Sequence, residues 1–253
     1  MITLFSDLDN TLIFSHRKEY NEDKILVEYI DGKEQSYMPA KLVQFLREYS
    51  NISLIPITTR SCEQYKRIFV LPDMLHEQHA LTCNGGVLLI DGVVDEEWLT
   101  DSNQLSQDQS IEVQKILKKV REDGKAKEIK VLQKFMFYFT CDEVDEYYSE
   151  IKGNANLENV YIGKDSRKIY VIASIINKGV SVERYIHRFG IKNYVIAGDS
   201  EFDISMLNLN TVAIASADLI GRLNNENVLY SEREWLFQDI NKLIKCVIEE
   251  KDD

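Results

Sequence analysis

The sequence predicts an α/β protein with a mainly parallel sheet and an inserted α+β domain. Strand-like and helix-like segments alternate at both ends of the 253-residue chain, which is typical of parallel sheets with crossover helices. The middle of the chain departs from this alternation and combines a long amphipathic helix with several strand-like segments. We therefore predict one domain formed by residues 1–86 and 173–253, and a second formed by residues 87–172.

The first part of the chain contains two short apolar runs that predict buried strands. Residues 2–6 and 52–58 are largely apolar and end at polar side chains. Between them, Asp31 and Gly32 separate two alternating segments, and an Asp-Gly pair in that position predicts a β-hairpin. Residues 39–49 then repeat apolar side chains at helical spacing behind a proline, so we expect a crossover helix there.

The middle region predicts the inserted domain from a different set of patterns. Residues 87–90 are strand-like and turn at Asp91 and Gly92, and a polar stretch at residues 100–109 leads into an amphipathic helix that ends near Val120. The remaining predicted elements are a single aromatic-rich strand at residues 131–140, a helix at 143–152, and strands at 160–162 and 168–172.

The alternating α/β pattern returns after Lys178. A helical segment ends near Phe189, an apolar strand follows at residues 194–197, and a short strand at residues 212–214 comes after an acidic turn. The sequence contains no internal repeat and no low-complexity linker, so we expect short hinges between the two domains.

Charge and composition argue against several classes of function. The chain carries 30 Lys and Arg against 42 Asp and Glu, and the resulting net charge of -12 repels nucleic acids and anionic membranes. No apolar stretch approaches the roughly 20 residues of a membrane span, and the first residues enter a strand directly, so we expect a cytoplasmic protein. The four cysteines are scattered without a Cys-x-x-Cys pair, so the sequence predicts neither a zinc site nor a disulfide framework.

The most informative motif is a pair of carboxylates directly after the first predicted strand. Asp7 and Asp9 are two residues apart, and the period of a strand places both side chains on one side. Two like charges at close range repel each other unless they share a divalent cation or a proton. The pair therefore favours a metal-assisted phosphoryl-transfer site, although a surface turn capped by acids and Thr11 would have the same local sequence.

A second group of polar residues closes the predicted strand at residues 52–58. Ligands of open α/β sheets bind at the carboxyl ends of the strands, where the hydroxyl of Thr58 can donate to a phosphate oxygen. Thr59 and Arg60 continue this motif. The alternative is structural, because Thr58 and Ser61 are also suitable caps for the next helix.

Two further motifs follow the inserted region. Lys178 opens a helical segment, where its ammonium group can neutralise a transferring phosphoryl group, although a solvated surface lysine would look the same. Asp199 ends an apolar strand and Asp203 follows four residues later, so both carboxylates stay near the first turn of the next helix. Such oxygen ligands suit Mg²⁺, whereas the structural alternative for Asp203 is a favourable interaction with the helix dipole.

Taken together, the four motifs resemble those of the haloacid dehalogenase (HAD) superfamily of phosphatases. The similarity begins with an Asp-x-Asp-x-Thr sequence at Asp7 and continues through Thr58 and Lys178 to a Gly-Asp sequence at Asp199. Each motif lies at the end of a predicted strand or the start of a predicted helix. The order of the motifs and their positions in the predicted elements together carry the resemblance.

Three details refine the resemblance. Thr59 replaces the usual Gly of the second motif, and Phe202 replaces the usual Asn of the fourth. Asn84 precedes two glycines and is similar to the junction at which members with a C2-type cap pass from core to cap, although these residues also predict a tight turn. The resemblance implies a Rossmann-like core with a C2-type cap, as in the Cof-like and sugar-phosphate phosphatase group.

The resemblance also implies a mechanism and a set of residue roles. Asp7 would be the nucleophile that forms an aspartyl-phosphate, and Asp9 would act as general acid and then as general base. The implied catalytic residues are Asp7, Asp9, Thr58 and Lys178. The implied substrate-binding residues are Thr58, Thr59, Arg60, Asn84 and Lys178. The implied ligands of Mg²⁺ are Asp7, Asp9 through its main-chain carbonyl, Asp199 and Asp203.

The expected function is hydrolysis of a small phosphorylated metabolite, a sugar phosphate or a related phosphomonoester, with Mg²⁺ as cofactor. Two alternatives stay open. A phosphomutase of the phosphomannomutase type shares the core and cap but depends on a bisphosphorylated activator and releases no net phosphate. A non-catalytic binding or regulatory protein on the same fold would release no phosphate from an aryl phosphate.

Overall fold

The computed structural model describes residues 1–19, 23–48, 51–75 and 77–232. They form two compact units, the first made of Met1–Val94 with the described part of Lys178–Asp253, the second of Asp95–Asn177. Both divisions lie later in the chain than the domain limits predicted from the sequence, and those limits stay a prediction. Within the described ranges, no helix combines the length and apolar character that crossing a membrane requires.

Fifteen strands and seven α-helices make up the described part of the chain. The strands are β1 (Ile2–Ser6), β2 (Phe14–Ser15), β3 (Lys24–Ile30), β4 (Lys33–Pro39), β5 (Ile52–Pro56), β6 (His79–Thr82), β7 (Val87–Ile90), β8 (Val93–Val94), β9 (Glu128–Gln133), β10 (Met136–Thr140), β11 (Val160–Asp165), β12 (Lys168–Ala173), β13 (Tyr194–Gly198), β14 (Ala213–Ser216) and β15 (Val228–Ser231). The helices are α1 (Ala40–Glu48), α2 (Cys62–Lys66), α3 (Glu96–Leu105), α4 (Gln107–Asp123), α5 (Val144–Asn154), α6 (Lys178–Phe189) and α7 (Ile204–Leu207).

The first unit is built on a five-stranded sheet with the order β15-β14-β13-β1-β5. Every neighbouring pair in this sheet is parallel. All residues of β1 and β5 are buried, as expected for strands covered on both faces. The predicted α/β fold with a parallel sheet is therefore confirmed. Because parallel strands end at the same edge, the residues that follow β1, β5 and β13 come together there.

Between β1 and β5 the chain forms a small antiparallel sheet with the order β2-β4-β3. Asp31 and Gly32, which join β3 to β4, have φ angles of 51° and 73°, and two left-handed residues in succession are typical of a type I′ turn. The predicted hairpin is confirmed, and we call β3 and β4 the flap hairpin. α1 lies within the predicted range of residues 39–49, whose last residue, Tyr49, lies outside the described residues.

Four strands of the first unit were not predicted: β2, β6, β8 and β15. β6 pairs with β7, which continues through Asp91 and Gly92 into β8, and β15 forms one edge of the parallel sheet. β6 and β15 are each four residues long. In so short a segment the hydrophobic pattern does not distinguish a strand from a loop. The segment is recognised as a strand only by its pairing with a neighbouring strand.

The second unit contains a four-stranded antiparallel sheet with the order β11-β12-β10-β9, together with α3, α4 and α5. α4 packs on the strands β10, β11 and β12, and α5 packs on β11 and β12. The α+β composition expected for the inserted region is therefore present in this unit.

The prediction of one strand at residues 131–140 is wrong, because the segment contains parts of two strands that form a hairpin. β9 and β10 pair antiparallel and are joined through Lys134 and Phe135. No Gly, Pro, Asn or Asp marks this turn, so the sequence pattern runs on without a break signal.

The polar stretch at residues 100–109 is also different from the prediction, because most of it is helical. α3 begins after Asp95, whose side chain accepts a hydrogen bond from the main-chain N–H of Trp98 at 2.8 Å. Trp98 and Ser102 are the buried residues of α3, one turn apart. A helix that buries so few side chains has little apolar periodicity in its sequence.

Candidate active site

Asp7 directly follows β1, between the neighbouring strands β13 and β5. Its main-chain N–H donates to the carbonyl oxygen of Ala197 at 2.9 Å, which extends the ladder with β13 past the end of β1. The carboxylate is buried. Main-chain hydrogen bonds therefore hold Asp7 at the carboxyl edge of the parallel sheet.

The second motif follows β5 at the same edge. The N–H of Ile57 donates to the carbonyl of Ser6 at 2.8 Å, and the N–H of Thr58 donates to the carbonyl of Leu81 at 2.9 Å. Thr58 is fully buried, and its hydroxyl accepts a hydrogen bond from the N–H of Arg60 at 3.2 Å. The structure thus places the Thr58 hydroxyl in a fixed position one strand away from Asp7.

Ser61 provides the cap that was considered as the structural alternative for this motif. The N–H of Gln64 donates to the Ser61 hydroxyl at 3.2 Å, and the N–H of Ser61 donates to Oε1 of Gln64 at 2.9 Å. This reciprocal pair starts α2. Thr58 lies before the cap, and Thr59 is half-buried between the two.

Asn84 lies in a tight turn that follows β6. Its φ angle is 59° and that of Gly85 is 88°, so the structural alternative of a tight turn is confirmed. The N–H of Asn84 donates to the carbonyl of Thr58 at 2.8 Å, which connects this turn to the second motif. Asn84 is buried.

Lys178 is the first residue of α6, and its side chain is only 1% exposed. Its Nζ donates to Oδ1 of Asp7 at 2.5 Å and to Oδ1 of Asp203 at 2.5 Å. The next residue, Gly179, allows the close approach, because a Cβ there would lie 2.4 Å from the carbonyl oxygen of Ser205. The ammonium group thus joins the first motif to the fourth.

The fourth motif begins where β13 ends. Asp199 and Asp203 are both buried. Oδ2 of Asp203 accepts hydrogen bonds from the N–H of Asp199 at 3.0 Å, from the N–H of Ser200 at 2.9 Å and from the Ser200 hydroxyl at 2.9 Å. Asp203 therefore orders the turn before α7, as in the structural alternative, and also contacts Lys178. Phe202, where the HAD pattern has Asn, is buried beside these residues in the chain.

Three carboxylates and one ammonium group form the centre of the site. One oxygen atom from each of Asp7, Asp199 and Asp203 lies within 4.8 Å of the other two. Burial raises the pKa of Asp7 well above its usual range; Lys178 lowers it, while Asp203 and Asp199 raise it further. Burial alone would lower the pKa of Lys178, but the carboxylates of Asp203 and Asp7 raise it above its usual range, so the lysine stays charged.

This donor set fits the Mg²⁺ ion that the HAD resemblance implies. Three convergent, buried carboxylates carry more negative charge than one ammonium group neutralises. All of the donors are oxygen atoms, which hard divalent cations prefer. Asp203 already accepts four hydrogen bonds, so Asp7 and Asp199 are the stronger candidates for direct metal contact.

The carboxylate of Asp9 is bound by Arg60 outside this cluster. Nε of Arg60 donates to Oδ2 at 2.8 Å and Nη2 donates to Oδ1 at 2.7 Å. Arg60 also binds Glu28 of β3. Burial would lower the pKa of Arg60, but hydrogen bonds and charge from Asp9 and Glu28 raise it above its usual range. Glu28 was not among the predicted site residues, because the sequence shows it only as a carboxylate within a strand-like segment.

A family model described as haloacid dehalogenase-like hydrolase matches residues 91–225, which is more than half of the chain. The chain belongs to this family. The matched range contains Lys178, Asp199 and Asp203, whereas the first two motifs precede it. The resemblance drawn from the four motifs is therefore confirmed, and the protein is an HAD-like hydrolase. A comparison with curated proteins finds no match.

Solved structures with the same fold cover nearly the whole of this HAD-like hydrolase. The sucrose-phosphatase of Synechocystis, solved with sucrose and phosphate, has a TM-score of 0.60 at 15% identity and covers 94% of this chain and 96% of its own. Protein 0175 of Thermoplasma acidophilum has a TM-score of 0.62 at 14% identity, with coverage of 96% and 98%. A sugar phosphatase of HAD subclass IIB has a TM-score of 0.57 at 16% identity, with coverage of 98% and 99%. These similarities establish the shared fold, a core with an inserted C2-type cap.

Proposed function

We propose that this HAD-like hydrolase is a magnesium-dependent phosphatase that hydrolyses a small phosphorylated metabolite, a sugar phosphate or a related phosphomonoester. The observation that carries the proposal is the buried cluster of Asp7, Lys178, Asp199 and Asp203 at the carboxyl edge of the parallel sheet. The relatives in fold that are described as a sucrose-phosphatase and a sugar phosphatase support the substrate class.

Asp7 is the proposed nucleophile. Its carboxylate attacks phosphorus, the bond from phosphorus to the leaving oxygen breaks, and an aspartyl-phosphate forms. Lys178 contacts Oδ1 of Asp7 at 2.5 Å and favours the ionised carboxylate that the attack requires. The same ammonium group would stabilise negative charge on the phosphoryl oxygens, together with the hydroxyl of Thr58.

Asp9 is the proposed general acid and base. It donates a proton to the leaving oxygen in the first step and takes a proton from the attacking water in the second. The water oxygen forms a bond to phosphorus, and the bond between phosphorus and the Asp7 oxygen breaks. Inorganic phosphate leaves, and the carboxylate of Asp7 is restored. Arg60 holds the carboxylate of Asp9 through two hydrogen bonds, which limits the orientations that this side chain can adopt.

Mg²⁺, when bound, supplies positive charge that stabilises the charge on the phosphoryl oxygens. Asp7 and Asp199 would hold the ion, with the main-chain carbonyl of Asp9 as the third protein ligand. Asp203 would contribute mainly by holding Lys178, since both of its oxygens already accept hydrogen bonds.

The substrate contacts proposed near the second motif are Thr58, Thr59, Arg60 and Asn84. Thr58 and Asn84 are buried close to each other, because the N–H of Asn84 donates to the Thr58 carbonyl at 2.8 Å. Arg60 already binds two carboxylates, so it would reach a substrate only by changing partners.

The test is release of inorganic phosphate from 4-nitrophenyl phosphate and from a panel of sugar phosphates. We expect release with Mg²⁺, loss of release after addition of chelator, and recovery when Mg²⁺ is restored. Asp7→Asn should abolish turnover, and Asp9→Asn should lower it by about 10²- to 10⁴-fold. Asp101→Asn, an exposed residue of α3, is the control with the same change of charge. A folded protein without phosphate release, or release that ignores the chelator, would contradict the proposal.

A further inference from the structure

Glu28 is a buried carboxylate in the flap hairpin. Its side chain is 1% exposed, although Lys24 at the start of β3 and the adjacent Tyr29 are exposed. The register between β3 and β4 shifts on both sides of Glu28, so an irregularity in the strand turns this side chain inward. Burying a carboxylate is unfavourable unless cations and hydrogen-bond donors surround it, so its partners are informative.

Both oxygens of Glu28 are occupied by donors from three residues. Nη1 of Arg60 donates to Oε1 at 3.0 Å, and Nη2 donates to Oε2 at 3.1 Å. Nε of Arg67 also donates to Oε1 at 2.9 Å, and the hydroxyl of Ser36 donates to Oε2 at 2.7 Å. Such paired contacts fix the plane of the Arg60 guanidinium as well as its position.

The same guanidinium also binds Asp9. Its Nε and Nη2 donate to the two oxygens of Asp9 at 2.8 and 2.7 Å. Arg60 therefore lies between a buried carboxylate, Glu28, and a partly exposed one, Asp9, whose side chain is 44% exposed. Because the guanidinium is rigid and planar, the orientation that Glu28 imposes on it determines where Asp9 is held.

We propose that Glu28 is a positioning residue for Asp9 and acts through Arg60. The inference rests on the proposed function, in which Asp9 is the general acid and base. Charge neutralisation of Glu28 alone does not require Arg60 to contact Asp9, since Arg67 and Ser36 also supply a cation and a donor to the same carboxylate. The contact between Arg60 and Asp9 is the part of the network that connects the flap hairpin to the first motif.

Two substrates with different leaving groups test this role. Departure of 2,4-dinitrophenolate needs no proton, whereas departure of phenolate from phenyl phosphate depends on a general acid. We would measure kcat/KM with Mg²⁺ for both substrates, because this constant covers the steps up to departure of the leaving group. For Glu28→Gln we expect a loss of about 10- to 100-fold with phenyl phosphate, within the contribution of a general acid, and a loss of less than about 3-fold with the dinitrophenyl ester.

Arg67→Gln is the matched control, because it removes one cation from Glu28 without touching the contact between Arg60 and Asp9. Arg67→Gln should leave the ratio of kcat/KM for phenyl phosphate to kcat/KM for the dinitrophenyl ester unchanged. Arg60→Lys retains the charge but loses the planar fork, and it should reproduce the change of ratio seen in Glu28→Gln. If Glu28→Gln does not fold, as judged by circular dichroism, Arg60→Lys carries the same prediction.

Equal losses with the two substrates, or no loss, would overturn the assignment and leave Glu28 a purely structural residue. Failure of the proposed function gives a different result, because the unmodified enzyme would then hydrolyse neither ester. That result would overturn the positioning role together with the function on which it rests.

Discussion

The ionisation of Asp7 depends on two opposing influences, burial among other carboxylates and contact with the ammonium group of Lys178. Burial and the carboxylates of Asp203 and Asp199 raise its pKa, while Lys178 lowers it, and the balance leaves the pKa well above the usual range. In the absence of metal, the folded protein therefore holds a proton on Asp7 more tightly than the unfolded chain does. A bound cation would displace that proton, so metal binding and pH should be coupled.

This balance predicts how Asp7→Asn changes stability. The proton on Asp7 stabilises the folded state fully below the unfolded pKa of about 4, and this contribution is lost as pH rises through the higher folded pKa. Asn cannot ionise, so Asp7→Asn should melt at a higher temperature than the unmodified protein in chelator at pH 8, with a smaller difference at pH 5. Mg²⁺ should raise the melting temperature of the unmodified protein more than that of the variant. A variant that is less stable at both pH values would contradict this account.

Cys62 is a second residue whose chemistry depends on its neighbours. A hydrogen bond from the Cys83 thiol lowers the pKa of Cys62 to about 6, against the opposing effect of burial. The Thr82 hydroxyl lies 3.3 Å from its sulfur atom. The hydrogen bond with Cys62 and burial both raise the pKa of Cys83. Cys62 should therefore be the more reactive thiolate of the two near neutral pH.

Alkylation by iodoacetamide, followed residue by residue with peptide mass spectrometry, measures this difference. The rate at Cys62 should be half-maximal near pH 6, because the thiolate is the reactive form. Cys83→Ala removes the donor and should move the midpoint of Cys62 toward the ordinary thiol value of about 8.5. An unchanged midpoint in Cys83→Ala would show that another group lowers the pKa.

The sequence motifs contain the residues of the cluster, but none of them contains Glu28, the residue that we propose positions Asp9. Asp7, Lys178 and Asp199 each lie at the end of a strand or the start of a helix. Short motifs at such positions can be recognised in the sequence. Glu28 has no such marker. Its inward orientation comes from an irregular register between β3 and β4, and a single-residue shift in a strand cannot be deduced from alternation alone.

At the scale of elements, two glycines determine how closely the fourth motif packs. A Cβ at Gly198 would lie 2.6 Å from Cβ and 2.7 Å from Cγ of Asp203, and a Cβ at Gly179 would meet the main chain of Ser205. β13 can therefore approach the turn before α7, and α6 can approach α7, only with glycine at these two positions. This approach brings Lys178 and Asp203 into contact.

Gly198→Ala should displace Asp203 and disturb the cluster. We expect a cost of about 1–3 kcal/mol in the free energy of unfolding, measured in urea, because the added methyl group has no space. Mg²⁺ affinity, measured by calorimetry, should fall in the same variant. Gly153→Ala in α5 is the control, since a Cβ there meets nothing within 4 Å and alanine favours a helix. Equal behaviour of the two variants would contradict the packing argument.

The elements that sequence analysis predicted well are those with a local chemical signal. Asp31 and Gly32 specify the flap hairpin, because their left-handed angles suit that turn. The turn between β9 and β10 has no comparable residue, and α3 buries so little that its sequence resembles a loop. Strand pairing defines β9 and β10, and the Asp95 cap defines the start of α3. The apolar periodicity of the sequence reports neither of these interactions.

At the scale of the whole molecule, the second unit has a core of its own. Helices α4 and α5 pack on its antiparallel sheet, and the ring of Tyr147 lies edge-on to Phe139 with 5.4 Å between the centroids. Tyr147 also donates to Asp123 of α4 at 2.9 Å. A unit with a separate core is expected to fold independently of the chain around it.

We therefore predict that residues 95–177 fold when produced alone. Circular dichroism should show a cooperative thermal transition, and Phe139→Ala should weaken or abolish it, since removing a buried phenyl ring costs about 3–5 kcal/mol. Val131→Ala, a replacement at an exposed side chain of β9, is the control that should leave the transition in place. A segment without a cooperative transition would show that its core depends on the first unit.

Asp7, where the first, third and fourth motifs meet, is the residue that we propose attacks phosphorus. The most direct measurement is to quench turnover of a phosphomonoester in acid, reduce with borohydride and locate the modified residue by peptide mass spectrometry. We expect a transient acyl phosphate on Asp7, detected as its reduced side chain, and none in Asp7→Asn. Continued release of phosphate with no modification of Asp7, or with modification of a different carboxylate, would contradict it.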